Sequence, residues 1–199
     1  MGSAAEHSLT GFILAGGQSS RMGTDKALLQ LNGETLLARA LRLVGAVCAE
    51  ARIVGSVARL SGYEAVVEDI FPNRGPLGGI HAALKSSGTE LNLVLAVDLP
   101  LIEVRFLDYL VARACAGEAV VTVPRASGGW QPLCAVYRRA FAPIAEAALA
   151  QGKNKIDALF ASVSTEIVDE DELAQAGFSP AMFRNLNTPV DWEWARHHL

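Results

Sequence analysis

Cysteine is scarce in this chain: Cys48, Cys115 and Cys134 stand far apart and form no CxxC pair. An odd, sparse set argues against a disulfide framework and for a reducing compartment. Histidine is equally scarce, with four in all and two of them, His197 and His198, at the extreme C-terminus, so a zinc site is not expected. Basic blocks are missing. Seventeen Lys and Arg stand against 21 Asp and Glu, for a formal net charge of −4. A nucleic-acid-binding surface needs concentrated positive charge, so that class of partner is excluded, and any polyanion must be met by a few focused cations. No run reaches the roughly eighteen apolar residues of a membrane span. Residues 1–9 have neither a basic segment nor an apolar stretch of signal-peptide length, and read as a disordered or leader segment. The expected setting is soluble and cytoplasmic, with no membrane partner.

Apolar residues are what the chain has in abundance. They make up 51% of 199 residues, with only 19% charged, which is enough for one well-packed domain over residues 10–199 and leaves no room for bulk disorder. Short apolar runs alternate with segments of helical period. Strands are expected at Gly11–Leu14, Arg52–Val54, Ala65–Glu68, Leu91–Val97, Ala119–Val123, Leu133–Tyr137 and Glu166–Val168. Helices are expected at Thr35–Val47, Leu77–Lys85, Val104–Cys115, Arg139–Ala150, Ile156–Phe160 and Pro189–His198, the last with Pro in its first turn. Continuously apolar strands separated by helices predict an α/β, three-layer, Rossmann-like fold with a mostly parallel sheet covered on both faces. Ligands of such sheets sit outside the carboxyl ends of the strands, so the polar residues just after a strand carry the functional question.

The densest such segment is Leu14-Ala15-Gly16-Gly17-Gln18-Ser19-Ser20-Arg21-Met22-Gly23-Thr24-Asp25-Lys26. Its glycines let backbone N–H groups approach a ligand closely, as phosphate cradles do, and Arg21 and Lys26 add the positive charges a triphosphate needs. Glycines alone would also fit a plain strand-to-helix turn; the two cations favour the cradle. The spacing is neither GxxxxGK[ST] nor GxGxxG. Asp98 ends the most apolar strand and is followed by Leu99-Pro100. It suits either a helix N-cap or a Mg²⁺ ligand, and the glycine loop favours the metal. Asp69 also follows a strand and precedes Gly75-Pro76-Leu77-Gly78-Gly79, where bare backbone at Gly78 suits a base or ribose. Asn185 and Asn187 precede the last helix and serve as turn or N-cap residues, or as amides aimed at a metal or its water. Lys153 and Lys155 fit an acceptor phosphate or plain solvation, and His81 reads as a packing or surface residue. No nucleophile–His pairing has support.

Together these segments resemble the molybdenum cofactor guanylyltransferases. LAGGxSxRMGxDK after the first strand, GPLGG before a helix, VDLP after a central strand, Gln131-Pro132-Leu133 and Asn185-Leu186-Asn187-Thr188-Pro189 occur in that family's order, from about Thr10 to Ala195. The first motif alone marks the wider class of sugar and isoprenoid-precursor nucleotidyltransferases; the set is more specific. The resemblance implies a nucleotide-diphospho-sugar transferase type of fold. It also implies GTP with Mg²⁺, Mo-molybdopterin as acceptor, and a guanine dinucleotide cofactor plus pyrophosphate as products. Other cofactor-biosynthesis proteins and molybdoenzymes are implied as further partners. Leu14, Ala15 and Gly16 would contact the nucleotide, with Gly17 beside them; Lys26 would meet its phosphates, Asp69 its nucleoside and Asp98 the metal. Catalysis would fall to Lys26, Arg21 and Asp98. One departure is Gly55-Ser56, where some members place an Asn against the nucleotide. The rival readings are the same chemistry with CTP or another acceptor, whose cytidylyl relatives tend to have AAG in place of Ala15-Gly16-Gly17, and a catalytically silent nucleotide-binding regulator.

Overall fold

The computed structural model describes residues 9–16 and 26–196. Ten strands and seven α-helices follow in chain order: β1 (Leu9–Leu14), β2 (Gln30–Leu31), β3 (Glu34–Thr35), α1 (Leu36–Gly45), β4 (Glu50–Val54), β5 (Val66–Val67), α2 (Pro76–Ser86), β6 (Leu91–Ala96), α3 (Val104–Ala116), β7 (Val121–Ala126), β8 (Gly129–Trp130), β9 (Cys134–Arg138), α4 (Ala142–Ala150), α5 (Asp157–Phe160), β10 (Thr165–Val168), α6 (Glu170–Gln175) and α7 (Pro189–Arg196). The strand β1 begins at Leu9, the last residue of the segment expected to be a leader. The sheet runs β10-β7-β9-β6-β1-β4-β5, with β8 paired to β7. All pairings along it are parallel except those of β9 with β6 and β7. The mostly parallel α/β architecture is therefore as expected.

The side chains of β1 and β6 show why the sheet is central. Both strands are buried at every position. Ile13, Leu93 and Leu95 enter one core with Leu37, Val44, Phe106 and Leu110 from α1 and α3. Phe12, Leu14 and Val94 enter the opposite core with Leu77, Ile80, Ala145 and Phe160 from α2, α4 and α5. A strand apolar on both faces can exist only with helices on both sides, and here it has them. The helix α1 is held by its own sequence. Thr35 Oγ1 accepts the Ala38 N–H at 3.1 Å, a cap worth about 1 kcal/mol, and Leu36, Leu37, Ala40, Leu43 and Val44 form its buried stripe. Gly11 lets that stripe approach β1 closely, since a Cβ there would lie 2.0 Å from Val44 Cγ1.

Three short elements escape the periodicity of the sequence. Asn32 and Gly33 at φ 53° and 84° close the β2–β3 hairpin, and Ser127 and Gly128 at φ 54° and 73° close β7 onto β8. Positive φ at both central residues matches the twist of tight hairpins. The acidic α6 is capped by Asp169, whose side chain accepts the Glu172 N–H at 2.9 Å.

Candidate functional site

The parallel strands end flush, and that brings the site together. Leu14 is in register with Ala96 on one side and Val54 on the other, and Val54 with Val67. Hydrogen bonding continues past these ends, with Ala15 N–H to Val54 O at 2.9 Å, Val97 N–H to Leu14 O at 3.2 Å and Gly55 N–H to Val67 O at 2.9 Å. A cleft of about 870 Å³ opens over this platform. Leu14, Ala15, Gly16, Lys26, Asp69, Gly79 and Asp98 all line it.

At one end, Lys26 Nζ lies 3.1 Å from Asp98 Oδ2 and donates to Asn187 Oδ1 at 2.9 Å. Lys26 opens a one-turn 3₁₀ segment, Lys26–Leu28, and its side chain is only 16% exposed. Asp98 stands in the turn after β6. The helix α3 starts at Val104 with Glu103 in the N-cap position, which removes the N-cap reading of Asp98. That turn is fixed from both sides: Arg39 Nε donates to Pro100 O at 2.6 Å, and Leu186 N–H donates to Asp98 O at 3.1 Å. Asp98 Oδ1 is buried and has no hydrogen-bond partner among the described residues. A carboxylate oxygen that the described residues leave free of hydrogen bonds, beside the cleft, suits a hard cation. No group of three His, Cys, Asp or Glu gathers among the described residues, and Mg²⁺ is typically held by one or two carboxylates with substrate phosphates and water.

At the other end, Asp69 lies beside the first turn of α2. A Cβ on Gly78 would sit 3.7 Å from Asp69 Oδ2, and one on Gly79 3.6 Å from Asp69 Oδ1. Gly75, at φ 66°, makes the left-handed turn into the helix and Pro76 takes its first position. Desolvation raises the Asp69 carboxyl above its ordinary range, against a smaller lowering by His81. His81 is buried, edge-on to Phe71 at 5.2 Å between ring centroids, with Nε2 3.5 Å from Glu146 Oε2. It is a packing residue beneath Asp69, not a surface one. Gly55 lies against Ala15 and Gly16: a Cβ there would be 3.6 and 3.7 Å from their backbone, and 2.9 Å from Leu60 Cδ1. A side chain at 55 would have to displace the end of Leu60, and Gly55 and Ser56 both line the cleft without supplying an amide.

The remaining expectations divide. Gly17 and Arg21 lie outside the described residues. Asn187 reaches the cluster through Lys26, whereas Asn185 is exposed and does not line the cleft. Neither asparagine caps α7. Thr188 does, since its Oγ1 accepts the Asp191 N–H at 3.2 Å. Lys153 is exposed, and Lys155 is 78% exposed and 3.5 Å from Asp157; neither lines the cleft. Sequence reasoning missed Arg59, Pro72 and Asn73 on the cleft wall, as well as Asp191, because none stands in a glycine-rich or strand-terminal motif; Glu68, also on the wall, was read only as the end of the strand expected at Ala65–Glu68.

Solved structures place this fold among the nucleotidyltransferases. The molybdopterin-guanine dinucleotide biosynthesis protein A of Archaeoglobus fulgidus superimposes with a TM-score of 0.82 at 25% identity, over 95% of this chain and 97% of that one. A 4-diphosphocytidyl-2C-methyl-D-erythritol synthase from Anaerococcus prevotii shares the fold at a TM-score of 0.69 and 15% identity, over 96% of this chain and 95% of its own. The family model described as the MobA-like NTP transferase domain matches residues 11–166, and the chain belongs to that nucleotidyltransferase family. Curated relatives include a molybdenum cofactor guanylyltransferase of Desulfosudis oleivorans, 36% identical over 94% of each chain. Another, from Vibrio atlanticus, is 37% identical over 90% of this chain and 91% of its own. The class generally works with a divalent metal beside its nucleotide. No described helix is long and apolar enough to cross a membrane.

Proposed function

We propose that this chain transfers GMP from GTP to the terminal phosphate of Mo-molybdopterin in the cytoplasm, with Mg²⁺, giving molybdopterin guanine dinucleotide and pyrophosphate. The observation that carries the reading is the Lys26–Asp98–Asn187 cluster at the carboxyl ends of β1 and β6, joined by one cleft to the Ala15-Gly16 backbone and Asp69. The relatives named above supply the choice of base and acceptor.

Backbone at Leu14, Ala15 and Gly16 borders the base and ribose, and Asp69, packed beside Gly78 and Gly79 of α2, accepts from the nucleoside. Lys26 meets the phosphates, with Arg21 and the Gly17 amide assigned there from the motif. Asp98 would hold Mg²⁺ through its bare Oδ1, and the ion when bound neutralises phosphate charge. Asn187 fixes where the Lys26 ammonium points. The acceptor phosphate is largely ionised at pH 7, so in-line attack on the α-phosphorus needs no strong base. Positioning and charge neutralisation then supply the acceleration.

Pyrophosphate release from each of the four NTPs, with and without Mo-molybdopterin, tests the reading. Release is expected only from GTP with acceptor. Equal release from CTP would overturn the choice of base, and none from any NTP would overturn transfer itself.

A further inference from the structure

The carboxylate of Asp191, in the first turn of α7, is 16% exposed and accepts five hydrogen bonds. Oδ1 takes the Arg184 fork, Nε at 3.2 Å and Nη2 at 3.0 Å. Oδ2 takes the backbone N–H of Asn187 at 3.1 Å, that of Thr188 at 2.9 Å and the Thr188 hydroxyl at 2.7 Å. Bonds from Thr188 and then Arg184 hold the carboxyl down at about 2.

Part of this is an ordinary helix start. The reciprocal Thr188–Asp191 bonds form a capping box, which stabilises a helix wherever it occurs. The bonds to Asn187 N–H and to Arg184 exceed what a cap requires. They hold the Asn187 backbone on one side of Leu186 and the Arg184 side chain on the other, while the Leu186 N–H is itself bound to Asp98 O. Arg184 is in turn held over the Trp194 ring at 4.4 Å. A segment fixed at 184, 186, 187 and 188 has little freedom left, and it ends with Asn187 Oδ1 2.9 Å from Lys26 Nζ. Asp191 itself does not line the cleft.

We propose that Asp191 is a positioning residue for turnover, acting by holding Asn187 against Lys26; this rests on the reading of Lys26, Asp98 and Asn187 as the catalytic end of the site. The cap alone would make Asp191 a contributor to stability. The additional bonds make it a contributor to rate.

The test measures pyrophosphate release with GTP and Mo-molybdopterin, alongside thermal midpoints, for Asn187→Ala, Asp191→Asn, their double variant and Asp191→Glu. Asn187→Ala and Asp191→Asn should each lower kcat by about tenfold or more, with KM for GTP changed by less than about threefold. The double variant should be no slower than Asn187→Ala alone, because both changes break one linkage. Asp191→Glu can still cap the helix, so its midpoint should hold while kcat falls. If Asp191→Asn does not fold, the cycle is run with Asp191→Glu. Wild-type kcat in either Asp191 variant, or losses that multiply in full in the double variant, would overturn the proposal. Wild-type kcat in Asn187→Ala would instead overturn the reading of the cluster on which it rests.

Discussion

Asp98→Asn should separate the contribution of one carboxylate to folding from its contribution to chemistry. Its Oδ2 faces Lys26 Nζ at 3.1 Å, with the two side chains 24% and 16% exposed. The pair is largely shielded from water, but an asparagine keeps an oxygen toward Lys26 Nζ, so losing the charge alone costs on the order of 1–2 kcal/mol. Its Oδ1 is buried without a partner among the described residues, so the charge there carries an uncompensated desolvation cost that an amide lessens. The two terms oppose each other, and the net change in stability should stay within about 1 kcal/mol, or roughly 2–4 °C in thermal midpoint for a chain of this size. Turnover has no such compensation. Loss of one preorganised electrostatic stabiliser costs on the order of 10²–10³ in kcat, or about 2.7–4 kcal/mol. The loss in transition-state stabilisation should therefore exceed the loss in folding several-fold. Pyrophosphate release at saturating GTP, Mo-molybdopterin and Mg²⁺ gives the first quantity, and scanning calorimetry the second. A variant keeping more than about a third of wild-type kcat would refute the reasoning. A midpoint lower by about 10 °C or more would refute it too, by making Asp98 a folding residue.

Asp69→Asn should raise KM for GTP by roughly tenfold, the cost of one hydrogen bond to a charged group, and an unchanged KM would remove Asp69 from the nucleoside site. Because burial raises the Asp69 carboxyl, its charged form costs the folded state stability above the raised value, and that cost vanishes as pH falls below the unfolded value near 3.9. Asp69→Asn should accordingly melt higher than wild type at pH 7, with the advantage fading toward about pH 4; a constant difference across that range would contradict this. Gly11→Ala places a Cβ 2.0 Å from Val44 Cγ1 and 3.0 Å from Cys48 Sγ, forcing α1 off β1 at about 1–3 kcal/mol. Calorimetry should show a lower midpoint that Val44→Ala partly restores, and an unshifted midpoint would argue against the close approach.

What was legible in the sequence was set by local patterns. The strand β1 announced itself by the apolar run ending at Leu14 and β6 as the most apolar stretch, broken only by Asn92, and α1 by leucines and alanines at helical spacing after a Thr. The reversal of β9 was not read, yet the reason lies in the chain. The β8 hairpin leaves too few residues between Ala126 and Cys134 for a parallel crossover, which needs about a dozen or more. The acidic α6 had only Leu173 as a buried residue, too little for a period to appear. In the site, Asp69, Asp98 and Lys26 were visible because they follow strands or glycines. The partnership of Lys26 with Asn187 was not, since an amide aimed at a metal and one aimed at an ammonium look alike in a sequence. Asp191 was missed for a related reason: a carboxylate three residues after a Thr reads as a helix start, and its further bonds exist only after tertiary folding.

The Lys26 contacts span 72 residues to Asp98 and 161 to Asn187. Bringing such distant segments together carries a loop-closure cost that no local motif bears. Lys26 meets Asp98 at the ends of the central strands, whereas Asn187 reaches it only from the segment before α7. The full arrangement of charge thus depends on a part of the chain that neither the glycine loop nor the sheet contains.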